Sequence, residues 1–252
     1  MGQSEATHSP TSLSDALVDM ARSQRILELE GHGDMSLGHM SFRDPDGRGA
    51  WLKRGNLGFE EVTANDFILI DFDGKILEGD GIRHLEWPLH TEILLAREDV
   101  NFVVHSHPFY SVALSATSSE LGPYSNEGVW FEAAGVPNYL QTSNLINTRE
   151  LGHSLATTLG KSEAMLLRNH GAAFVGSTVE EATLAGVFLE KASKMQVTLL
   201  SMGLPFTAPD SQEMYEKRLT IYPDRAKKNF WDYYNRKLDR SEGNEQQAKF
   251  QQ

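Results

Sequence analysis

The chain has no cysteine among its 252 residues. Disulfides are therefore excluded, and a metal site would have to be built from histidine, aspartate or glutamate. Nor is there an apolar run near the ~20 residues that a membrane-spanning helix needs. The N-terminus lacks the basic-then-apolar layout of a secretory leader. These absences lead us to expect a cytoplasmic protein with no membrane partner. Basic charge is also scarce: 23 Lys and Arg face 35 Asp and Glu, for a formal net charge of −12. With no Lys/Arg cluster in view, nucleic acid is not an expected partner, and the acidity serves solubility.

What is present suffices for a packed protein. Apolar residues make up 40% of the chain, and no shift in composition divides it. We expect one domain over residues 14–238, between a flexible N-terminus (1–13) and a flexible polar tail (239–252). Ala16, Leu17, Met20, Ile26 and Leu27 share a helical face, which predicts a helix over 14–30 that stops at Gly31-His-Gly33. Extended segments 37–43 and 50–54 flank the turn Asp44-Pro-Asp-Gly47, and 67–72 and 75–77 flank Asp73-Gly74 as a tight hairpin. Helices are predicted over 86–97, with Pro88 in the first turn, and over 109–116 and 148–159. Short strands are expected at 164–167 and 172–175. Thr178-Val-Glu-Glu181 is a capping box that opens a long helix, ended by Gly203 and Pro205. Residues 118–144 read as irregular, and one or two helices follow Met214. Helices alternating with short strands and a hairpin imply an α/β fold with a mixed sheet.

One stretch carries chemistry, Asn101-Phe-Val-Val-His-Ser-His-Pro108. Its first four residues read as a buried strand. Strand side chains alternate faces, so His105 and His107 point the same way and one ion can touch both. Proline ends the strand, leaving both imidazoles near its C-terminal end, where α/β proteins tend to place active sites. Glu86 opens a predicted helix, and His170 precedes a glycine at a strand break. Three histidines and a carboxylate, all at element ends, form a candidate Lewis-acid site with an open position. Imidazole suits zinc, iron and manganese alike.

These residues sit within a wider pattern: Gly38-His-Met-Ser-Phe-Arg43, Glu61-Val-Thr-Ala-Asn-Asp66, Asp71-Phe-Asp-Gly-Lys75, Glu86-Trp-Pro-Leu-His90, Val103-Val-His-Ser-His107, Thr148-Arg-Glu-Leu151 and Asn169-His-Gly171. The chain resembles the class II aldolase/adducin family over about residues 13–202. The resemblance implies a three-layer α/β/α sandwich around a central mixed, largely antiparallel sheet. It also implies a homotetramer with active sites at subunit interfaces. It makes His105, His107 and His170 the ligands of one divalent metal ion per chain (zinc, manganese or iron) and Glu86 the catalytic carboxylate, which either joins the coordination shell or moves protons.

The departures bear on substrate. Sugar-phosphate aldolases of the family hold phosphate with small hydroxylated and amide side chains. Here the corresponding places carry His39, Arg54-Gly55 and His84-Leu85, with Lys53 and Arg83 adjoining. Cationic groups of this kind suit a carboxylate. The tyrosine that protonates the leaving carbanion in the aldolases has no clear match, and Tyr110, Tyr124 and Tyr139 are its candidates. We therefore expect a metal-dependent carbon–carbon lyase acting through a metal-stabilised enolate. The expected reaction is decarboxylation of a hydroxylated aromatic or other small hydroxy or oxo acid. His39, Arg54, Arg83, His84 and Tyr110 would contact the substrate. Retro-aldol cleavage of a small hydroxy-oxo acid or sugar phosphate is the alternative. From other classes come an iron-dependent oxygenase and an adducin-like binding protein without activity.

Overall fold

Short runs of branched and aromatic residues pair into one sheet. Its strands are β1 (His39–Arg43), β2 (Ala50–Lys53), β3 (Phe67–Ile70), β4 (Ile76–Glu78), β5 (Phe102–Ser106), β6 (Asn138–Tyr139), β7 (Ala164–Leu167) and β8 (Gly171–Gly176). The computed structural model describes residues 12–250, with side chains through residue 244. The spatial order is β4-β3-β2-β1-β5-β8-β7-β6. All neighbours are antiparallel except β6 and β7, which are parallel. The sheet is thus mixed and largely antiparallel, as expected. β3 turns into β4 at Asp71–Gly74, where Gly74 adopts φ 80.

Alternation along the strands divides the core in two. Phe102 and Val104 of β5 face α1 (Leu13–Leu27) and α6 (Val179–Met202), in a cluster with Met20, Phe174 and Leu184. Val103 faces the other way, toward α2 (Trp87–Ala96) and α5 (Arg149–Leu159), with Leu89, Ile93 and Leu155. Helices on both faces of one sheet make the three-layer α/β/α arrangement. The remaining helices are α3 (Phe109–Ser115), α4 (Asn126–Val129), α7 (Ser211–Ile221) and α8 (Asp224–Phe250).

Local signals act where they were read. Thr178 accepts the Glu181 N–H at the start of α6, and Gly203 closes that helix at φ 64. Thr148 caps α5 in the same way by accepting the Leu151 N–H. Packing alters other segments. α1 ends at Leu27 and passes into a π-helical turn, Glu28–His32, in which Gly31 takes φ 90. Only glycine reaches that angle cheaply, and the turn swings His32 into the core. The stretch expected to be irregular contains α4 and β6, because Val129 and Tyr139 are buried there. Beyond Asp239, where a flexible tail was expected, α8 continues to Phe250. Arg22 of α1 holds Asp239 at 2.6 Å and Arg25 holds Glu242 at 3.4 Å. Most of the N-terminal segment expected to be flexible lies outside the described residues. Among the described residues no helix is long and apolar enough to cross a membrane.

Candidate metal and catalytic site

The site forms where the end of β5 meets the β7–β8 turn and the start of α2. β5 stops at Ser106, and Pro108 becomes the N-cap of α3. His105 and His107 lie on either side of Ser106, whose hydroxyl points away to His32 Nδ1 at 2.9 Å. In the β7–β8 turn Asn169 takes φ 54, a left-handed conformation that Asn tolerates. That turn delivers His170.

Hydrogen bonds assign the free nitrogens. His105 Nδ1 lies 3.0 Å from the Ala172 carbonyl and His107 Nδ1 lies 3.0 Å from Asp34 Oδ2. Both partners accept, so each Nδ1 carries a hydrogen and, in the neutral ring, each Nε2 is left free. The two Nε2 atoms are 3.1 Å apart. Lone pairs at that separation repel unless a proton or cation lies beside them. His170 Nδ1 is buried and has no hydrogen-bond partner. One ligand atom from each of His105, His107 and His170 fits within a 4.8 Å cluster. Such a donor set suits a divalent first-row ion.

Glu86 is the N-cap residue of α2 and is 5% exposed. Its Oε1 accepts the Ile146 N–H at 2.7 Å and lies 3.7 Å from His170 Nε2. Its Oε2 is 3.4 Å from His105 Nε2 and 3.7 Å from His39 Nε2. Burial pushes this carboxyl up, but the charge and N–H groups of His105 and His39 in their protonated forms outweigh burial and hold it well below the usual carboxylate range. His39, Glu86 and His105 thereby make a second cluster of possible ligand atoms. It shares His105 Nε2 with the first. One nitrogen binds one ion, so the two clusters describe alternatives for a single ion.

The expected substrate contacts separate into two groups. His39 and His84 lie at the site, with ring centroids 4.5 Å apart. Burial, then the Lys53 charge, lowers His84 to about 4, and its Nε2 is buried without a partner. Arg54 is engaged elsewhere, by Asp66 at 2.8 Å. Arg83 donates to the Gly74 carbonyl and lies over the Trp87 ring at 5.0 Å. Tyr110 gives its backbone N–H to Glu190 at 2.8 Å, and Lys194 sits over its ring.

Sequence reading missed Asp34, His90 and Ile146. Nothing local marks Asp34 or Ile146. His90 had a signal: it follows Glu86 by one helical turn, within a motif already singled out. Asp34 orients His107 as an outer-shell carboxylate, and loss of such partners typically costs 10–100-fold in metal affinity. Asp34→Asn should therefore weaken zinc binding about 10–100-fold with little change in fold. Competition with a chelating dye measures this, and unchanged affinity would remove the role.

Buried histidines also set a pH dependence. Burial lowers His32 and His90 to about 3 and His170 to about 4. An unfolded chain protonates the same groups near 6.5. As pH falls through that value the unfolded state takes up protons that the folded state refuses, so stability falls with pH. The metal-free protein should melt at a lower temperature at pH 5 than at pH 7, and calorimetry showing a flat or rising Tm over that window would contradict this.

Comparison with known proteins agrees with the fold. The chain is 32% identical over 214 residues to 3,4-dihydroxyphthalate decarboxylase of Arthrobacter keyseri, covering 81% of this chain and 85% of that one. It is 30% identical over 207 residues to the enzyme of the same name from Rhodococcus jostii, covering 77% and 84%. A crystal structure of an aldolase II superfamily protein from Pseudomonas syringae superposes with a TM-score of 0.82 at 26% identity, covering 93% of this chain and 96% of that one. Residues 18–197 match the Class II Aldolase and Adducin N-terminal domain, and the chain belongs to that family.

Proposed function

We propose that the protein is a divalent-metal-dependent carbon–carbon lyase, a decarboxylase of a hydroxylated aromatic or other small hydroxy or oxo carboxylic acid. The observation that carries this reading is the meeting of bare His105 and His107 Nε2 atoms with His170 and the buried Glu86 carboxylate. An ion held by His105, His107 and His170 would supply the Lewis acidity that steadies the electron pair left when the carbon–carbon bond breaks. Glu86 holds or moves a proton at Oε2, the oxygen that faces His105 and His39. The Ile146 N–H keeps the other oxygen in place. His39, Glu86 and His105 are all buried, so water has little access to the proton being moved.

His39 and His84 stand where the family's sugar-phosphate aldolases have small phosphate-holding side chains, which favours a carboxylate over a phosphate. Decarboxylase relatives support the same direction. Assembly into a homotetramer accompanies this reading. Met35, Leu85 and Phe109 are 77%, 66% and 73% exposed beside Asp34, Glu86 and His107, an apolar rim that a second copy would cover.

The test is turnover by the metal-loaded protein on two panels. Carbon dioxide from dihydroxyphthalate-type acids is the expected result. Aldehyde from hydroxy-oxo acids, without carbon dioxide, would replace decarboxylation by retro-aldol cleavage. Oxygen uptake during turnover would replace it by oxygenase chemistry. Neither product, in a protein that binds no metal, would leave an adducin-like binding role.

A further inference from the structure

Behind the site, two further side chains extend from His39 as a buried chain. His39 Nδ1 is 2.6 Å from His90 Nε2, and His90 Nδ1 is 2.7 Å from Ser41 Oγ. None of the three is more than 1% exposed. His39 and Ser41 stand two apart on β1 and so share its face. His90, four residues after Glu86 on α2, comes down onto that face. At the other end His39 Nε2 faces Glu86 Oε2.

One hydrogen lies between each pair of atoms, so the chain runs in one of two directions. In the first, the Ser41 hydroxyl donates to His90 Nδ1, His90 Nε2–H donates to His39 Nδ1, and His39 presents Nε2–H to the site. In the second every donor is reversed, and His39 presents a bare Nε2. The Val103 carbonyl beside the His90 ring favours the second. Two features favour the first and outweigh it. Glu86 Oε2 already faces the free His105 Nε2 at 3.4 Å, so a bare His39 Nε2 would leave three acceptors together with no hydrogen among them, in a place shielded from water where unmet acceptors are costly. The buried Ser41 hydroxyl, moreover, uses its hydrogen only in the first direction within this chain.

We propose that Ser41 and His90 lock His39 as its Nε2–H tautomer, making His39 a neutral hydrogen-bond donor to an anionic oxygen of the substrate. His39 touches the substrate, while His90 and Ser41 are positioning residues that act through it. Arg54 and Arg83 are engaged by Asp66 and by Gly74 and Trp87. Lys53 donates to the Leu57 carbonyl, so a carboxylate oxygen at this end of the site meets an imidazole N–H. The substrate part of this inference rests on the lyase reading above; the tautomer does not.

Solid-state 15N spectra of the full-length protein with labelled histidine test it, assigned with His39→Gln and recorded metal-free and zinc-loaded. His39 should show a protonated Nε2 and a bare Nδ1 in both forms. His90→Leu should abolish that preference. His90→Gln, whose amide hydrogens can occupy the place of Nε2–H, should restore it. Ser41→Ala, a smaller change, should weaken it. Zinc content should stay the same in all of these variants. A bare Nε2 in the native protein, or an unchanged His39 spectrum in His90→Leu, would overturn the proposal; a bare Nε2 would also make His39 a fourth nitrogen available to the metal. The spectra need no substrate, so absence of turnover would sink the lyase reading and leave the tautomer assignment standing.

Discussion

His107→Ala and His170→Ala should each abolish metal binding in a protein that remains folded. Each substitution removes one of three imidazole ligands. Loss of an outer-shell partner alone typically costs 10–100-fold in affinity, and loss of a ligand must exceed that. The fold should survive because neither residue is a packing element. Both side chains lie at strand ends, 13% and 9% exposed, outside the two apolar clusters. Removing His107 also relieves the approach of two bare nitrogens at 3.1 Å. Elemental analysis of purified protein should find about one zinc, manganese or iron per chain, lost in both variants, with circular dichroism unchanged. Full metal content in either variant would disprove the ligand set assigned here.

Glu86→Gln should keep the fold and the metal and lose about 10²–10⁴ of kcat, the usual worth of a positioned acid–base group. Glutamine is nearly isosteric, and its carbonyl oxygen can still accept the Ile146 N–H. What disappears is a charge that three imidazoles face, at 3.4–3.7 Å. The variant has no carboxyl to hold or release a proton at that point. Steady-state kinetics with metal content measured in parallel would separate a chemical defect from a binding defect. A fully active Glu86→Gln would show that Glu86 moves no proton.

Neighbouring residues announced themselves, and distant ones did not. The capping of α6 by Thr178 and Gly203, a turn at Asp73-Gly74 (in the fold the wider Asp71–Gly74) and the shared face of His105 and His107 all follow from short-range sterics and the two-residue period of a strand. Those rules operate within a few residues, so a reader of the chain can apply them directly. The family pattern then joined Glu86 and His170 to the same site. Arg54 and Arg83 show where this reading stops. Their charge suggests a substrate contact, and in the fold Arg54 pairs with Asp66 while Arg83 donates to the Gly74 carbonyl. The polar stretch from Asp239 reads as a flexible tail, but its first turns lie on α1, where Arg22 and Arg25 meet them.

Composition and motif thus account for the class of the protein: a cysteine-free α/β chain with three histidines and a carboxylate set at element ends. The working state of those groups came from contacts across the fold. Asp34 is 73 residues from His107 and His90 is 51 from His39, and each sets which nitrogen of its partner is free. Imidazole tautomers depend on the atom a few ångströms away, and that neighbour is chosen by how the sheet and its two helical layers pack.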